Sequence, residues 1–215
     1  VGSHDVTDPR GKTIEWNSLP AQRLVPLLGD QRFAVRNKAR KILGEMGANS
    51  VDSLRIALSE TDDAQHRLQI VWALCQNQTD AARVAIHTAL DDDNETVVHA
   101  ALHSISLHLD KSAASEIRER FLRLSNYNKR IAAECLGRIG SPMDVPMLLN
   151  TLTTNIDRML EHSLIYAAIE IGDSDPIKRL VNSTNDATTR GALIALDQTP
   201  NGNLRPELAI NAIQS

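Results

Sequence analysis

Apolar residues recur along this chain at helical spacing, and the helical stretches themselves recur. Across 95–109, Val98, Ala101, Leu102, Ile105 and Leu109 follow the i, i+3, i+4, i+7, i+11 pattern of one helix face. Across 33–46, Val35, Ala39, Ile42, Leu43 and Met46 do the same. Aligning these frames gives an anchor series of Arg36, Arg67, Val98, Arg130, His162 and Arg190, spaced by 31, 31, 32, 32 and 28 residues. A period near thirty, written in helical rhythm, predicts helix pairs stacked in an array and not one closed globule. No stretch alternates for long enough to build a β-sheet.

Breaks between the frames set the boundaries. Residues 1–17 lack helical periodicity and read as an extended leading segment, in which Ile14 and Trp16 can cover the outer face of the first repeat. Residues 18–198 form the array. Its first repeat pairs a helix over 19–28, capped by Ser18, with a helix over 33–46. The second starts near Asn49, read as a cap; the third covers 79–109 and the fourth 112–140. The fifth opens on the cap-like run Ser141-Pro142-Met143-Asp144, and the sixth on Asp175-Pro176. Thr199-Pro200-Asn201-Gly202-Asn203 is a break, so 199–215 is expected to hold one further amphipathic helix over 204–213, half of another repeat. The chain is therefore read as part of a longer parent.

Composition narrows the core and the partners. Aromatic residues are only 3% of the 215, so aliphatic side chains must pack the helices together. The net charge of −4 and the lack of a basic stretch disfavour a nucleic-acid-binding solenoid. No apolar run is long enough to span a membrane, and no signal-peptide pattern opens the chain. Cys75 and Cys135 fall two repeats apart, too far for a disulfide, and read as buried thiols.

The pattern resembles HEAT repeats. The residues that carry the likeness are a turn acid followed by an Arg early in the second helix: Asp30…Arg36, Asp62…Arg67 and Asp186…Arg190, with Asn126…Arg130 a weaker copy. A carboxylate beside a helix N-terminus is favoured by the dipole, and an Arg of the adjoining layer can bridge to it. Val98 and His162 occupy the Arg position in repeats three and five, so those layers are expected to be bridged less well. The resemblance implies an all-α, right-handed solenoid of about six helix pairs, roughly 60 Å long at 8–10 Å per layer. It implies a non-catalytic scaffold that docks a protein or another domain of its parent, with no cofactor.

A narrower resemblance rests on Asp8-Pro9-Arg10-Gly11-Lys12-Thr13-Ile14-Glu15-Trp16, the Leu-Leu-Gly-Asp turn after it, and Val35-Arg36. This run is similar to the HEAT region of large exported dehydrogenase-like proteins of planctomycete-type bacteria. There a sugar-dehydrogenase-like propeller precedes the repeats and a c-type cytochrome follows them. That likeness implies an exported or periplasmic spacer between redox modules. The alternative function is an accessory module of a redox or lyase-type enzyme. The haem-attachment pattern Cys-x-x-Cys-His is absent from these residues.

Candidate sites follow from the second helices. Trp72 stands among Gln65, Gln69 and Gln76, opposite the apolar stripe of its helix. With Lys38, Lys41, Gln69 and His103 at related positions, it is a candidate anchor of a partner-binding patch. The competing reading tucks Trp72 against the neighbouring layer. Glu95, His99 and His103 share an i, i+4, i+8 stripe and are the one weak candidate for a divalent metal; the plainer reading is a solvated stripe. The acidic turn Asp91-Asp92-Asp93-Asn94-Glu95 lacks the Gly and Glu of a calcium loop, since Thr96 and Leu102 stand at the sixth and twelfth positions; it is expected to cap a helix. Ser104 and Ser106 near His103 and His108 point apart on a helix and form no nucleophile–base pair.

Overall fold

A computed structural model describes residues 7–204, 206 and 207. The helix expected over 204–213 therefore lies for most of its length outside the described residues. Among the described residues twelve α-helices alternate as first and second members of six pairs, and no strand occurs. The pairs are α1 (Ala21–Leu24) with α2 (Phe33–Glu45), α3 (Ala48–Glu60) with α4 (Ala64–Gln76), and α5 (Asp80–His87) with α6 (Glu95–His108). They continue as α7 (Ala114–Arg120) with α8 (Asn126–Ile139), α9 (Val145–Asn150) with α10 (Arg158–Ile171), and α11 (Ser174–Lys178) with α12 (Asp186–Gln198). This is the HEAT-like all-helical solenoid that the period of thirty predicts.

Five of the six second helices share one start signal. Asp63, Ser125, Asp157 and Asn185 each accept a hydrogen bond from a backbone N–H of the first turn they precede. Asn94 does the same for α6, accepting from Thr96 N at 3.0 Å. The first helices are shorter, except for α3 with its 13 residues. Several pass into a 3-10 turn, as at Val25–Gly29, where Pro26 removes a backbone donor, and at Thr88–Asp91.

The chain divides into two compact units, between Ser104 and Ile105 within α6. In the first unit α2 packs on α4, α3 on α4, and α1 and α5 on α3. Leu24, Leu28, Leu43, Leu54, Ile70 and Leu74 are sealed between these helices. In the second unit α8, α10 and α12 pack in succession, with α7, α9 and α11 each against its own partner. Its core holds Ile117, Phe121, Leu136, Leu148, Leu164 and Leu196. Second helices approach closely where a glycine stands at the twelfth helix position. A Cβ on Gly44 would lie 2.8 Å from Gln76 Cβ, and one on Gly137 would lie 3.0 Å from Ala167 Cα. Cys75 occupies that same position in α4 and is buried, as is Cys135; neither is in a disulfide.

Three local expectations need correction. Ser18 does not cap: its hydroxyl donates to Glu15 O at 2.9 Å, and α1 begins at Ala21 behind an extended Pro20. Asn49 lies inside α3, which starts at Ala48 because Gly47 turns the chain at φ +57°. Residues 8–16 of the leading segment fold back instead of running extended. Asp8 accepts hydrogen bonds from Lys12 N, Thr13 N and Thr13 Oγ1, and these hold its carboxyl down at about 2. Trp16 donates Nε1–H to Gly11 O at 2.8 Å and is buried; a Cβ at Gly11 would come 2.9 Å from Val35 Cγ2. Trp16 thus lies against α2, where Lys38 stands over its ring.

Candidate functional site

The second helices place one side chain per repeat at the ninth position, opposite the buried stripe: Lys41, Trp72 and His103 in the first unit; Glu134, Tyr166 and Ile194 in the second. All but Trp72 are exposed, and Trp72 is half-buried. Each unit carries its own candidate surface.

In the first unit the structure brings Trp72 and His103 together. Their ring centroids are 5.7 Å apart at 64°, an edge-to-face contact. The indole is partly sheltered by an imidazole of the next layer and is half-buried. Lys41 stands one layer before it and pairs loosely with Glu45 at 3.7 Å, one turn along its own helix. Lys38 and Gln69 are engaged elsewhere. Lys38 holds its ammonium 4.6 Å over the Trp16 ring, and Gln69 accepts from Arg40 at 3.2 Å.

Glu95, His99 and His103 do not converge. Eight residues of helix separate the first from the last, about 12 Å at 1.5 Å per residue, so one ion cannot reach all three. Among the described residues no group of three or more His, Cys, Asp or Glu side chains is placed to hold a metal ion. The acidic turn has a structural task. Arg67 donates through Nε and a terminal nitrogen to Asp92 at 2.7 and 2.9 Å, and to Asp93 at 2.6 Å. Burial pushes the Asp92 carboxyl up, but the hydrogen bonds from Arg67 and the Asn94 amide outweigh it and hold the group below the usual carboxylate range.

The Arg ladder also takes a different form from the one expected. Arg36 donates to Asp30 O and Gln31 O, and Arg67 to Thr61 O and Asp62 O, so each secures the carbonyls of its own turn. The carboxylate bridged to Arg67 belongs to Asp92 of the next turn and not to Asp62. In the second unit Arg118 pairs with the fully buried Asp144, and Arg190 reaches back to Glu161 at 2.7 Å. Asp144 also accepts from Ser141 N at 2.8 Å, which completes the predicted cap.

The second unit contains a cleft of about 230 Å³ between α10 and α12, which the sequence alone did not reveal. Ile165, Ile169 and Ile194 form its apolar wall, Tyr166 and His162 its rim, and Arg158 lies at one end. His162 and Tyr166 stack at 6.0 Å with planes 22° apart. A hydrogen bond to Glu170 raises the Tyr166 hydroxyl above its ordinary value. The signal was present but misaligned. Arg36, Arg67 and Val98 are fourth residues of their helices, whereas Arg130, His162 and Arg190 are fifth. Counted from the caps, Tyr166 is the equivalent of Trp72; counted from the Arg series, that place falls on buried Ala167.

No protein-family model and no curated protein sequence matches the chain. Three solved structures are similar in fold. The complex of CpcE and CpcF of phycocyanin lyase from Nostoc sp. is 17% identical, with 91% of this chain and 93% of that chain covered and a TM-score of 0.53. An engineered protein is 16% identical, covering 85% and 97%, with a TM-score of 0.51. YibA of Escherichia coli is 18% identical, covering 91% and 77%, with a TM-score of 0.55. At these identities the likeness establishes the architecture, and this chain shares with them the HEAT-like helical solenoid fold.

Proposed function

We propose that this chain is a non-catalytic docking module that binds a protein, or another domain of its parent, along the exposed side of its second helices. The observation that carries this reading is Trp72. In a chain with so few aromatic residues, an indole stands half-exposed at the outward helix position, flanked in register by Lys41 and His103. Large aromatic side chains in such settings anchor interfaces, because they bury much area at little entropic cost. A fold neighbour that is itself a complex of two chains agrees with protein partners.

The test starts with the indole itself. In a Trp16→Phe background, Trp72 emission is expected to be readily quenched by acrylamide; a blue, unquenchable signal would place it in the core and remove the anchor. Cross-linking in the source cells should then capture a partner with the wild-type chain and lose it with Trp72→Ala. Equal capture by both would contradict docking at this face.

The narrower reading, a spacer between redox modules of an exported dehydrogenase–cytochrome protein, is supported by the 8–16 run and the turn after it. The parent gene's full reading frame tests it. An upstream propeller and a downstream Cys-x-x-Cys-His are expected, and their absence ends that proposal.

A further inference from the structure

We propose that the cleft between α10 and α12 receives one large apolar side chain of an extended protein segment, and that a carboxylate of the same segment pairs with Arg158. This rests on the reading of the chain as a docking module and assigns it a second, chemically specified seat. The cleft's volume of about 230 Å³ is below that of small-molecule sites and suits one aromatic or long aliphatic anchor. Its floor is apolar: Ile165 is buried, and Ile194 keeps 38% of its surface open to an incoming group. Tyr166, 49% exposed and stacked on His162, offers a flat ring at the rim.

Charge decides the rest. Glu161 is already engaged by Arg190 at 2.7 Å, and the Asp157 carboxylate accepts from Met159 N and Leu160 N as the helix cap. Among the described residues Arg158 has no ion-pair partner, so its guanidinium is the cation left to pair with a ligand at this end. The eleven steps of α10 from Arg158 to Ile169 span about 16 Å at 1.5 Å per residue. An extended chain covers that length in about five residues at roughly 3.3 Å each. The segment therefore carries its acid and its apolar anchor three to five positions apart, about the reach from Arg158 to the isoleucine wall.

The experiment presents a phage-displayed random dodecapeptide library to the immobilised full chain. The expected consensus holds Phe, Trp or Leu with Asp or Glu three to five positions away. A synthetic consensus peptide should bind Ile194→Glu about tenfold more weakly, and Arg158→Glu should exchange the preference for an acid for Lys or Arg. Both substitutions are at exposed positions, and unchanged circular dichroism checks their folding. No enrichment, or a consensus without an acid, overturns the proposal. So does a consensus peptide that binds Ile194→Glu at wild-type strength. If such a peptide is lost with Trp72→Ala instead, docking through the first unit stands and the cleft assignment alone fails.

Discussion

Arg67 reaches forward into the turn before the next second helix, and that contact sets how the first unit responds to acid. Its side chain and that of Asp92 are 12% and 7% exposed, so the pair is little screened by solvent. Asp92 has its folded value lowered, so its contribution is fully present above the ordinary carboxylate range and is lost as pH falls through the lower folded value. Asp92→Asn should therefore lower unfolding free energy by about 2 kcal/mol at neutral pH. In urea titrations the gap to wild type should persist to about pH 4 and close below it. A gap of the same size at pH 2 would contradict the pairing. At this scale the sequence was partly legible. That an Arg early in the second helix binds turn acids could be read from spacing. Which acid it binds could not, since Asp62 presents its carbonyl and Asp92 its carboxylate. Lys38 was legible as an outward position, but its engagement by Trp16 depends on the leading segment folding back through the turn at Gly11.

Among the elements, the second helices were the most legible, because four turns of amphipathic rhythm and a polar cap agree at nearly every one. The first helices were not. Apart from α3 they are short, several pass into 3-10 turns, and α3 itself starts at the positive φ of Gly47. The cleft in the second unit is hidden in the sequence by a one-residue shift between repeats three and four, which moves the Arg series against the caps. Helix approach provides a test at this scale. Gly137 allows α8 to meet the backbone of α10 at Ala167, which cannot give way as a flexible side chain would. Gly137→Ala should cost about 1–2 kcal/mol through overpacking, although alanine is the better helix former. Equal or greater stability in thermal unfolding would show that the two helices have room to spare.

For the whole chain, the account is that stability is assembled from neighbouring layers and that no core is common to distant repeats. Packing within each unit follows that rule: α1, α3 and α5 meet in succession, as do α8, α10 and α12, while α2 packs on α4 and α9 on α11. Period, caps and aliphatic composition make this architecture legible in the sequence, whereas the partner is not, since one half-buried indole and one cleft define a chemistry without naming a molecule. The decisive measurement is residue-resolved hydrogen exchange on Leu196→Ala, which removes a fully buried side chain of α12 at a cost of about 3 kcal/mol. Layered stability predicts that amide protection falls in α11 and α12, less in α10, and stays at wild-type levels in α2, α3 and α4. An equal loss of protection in α2, α3 and α4 would contradict it.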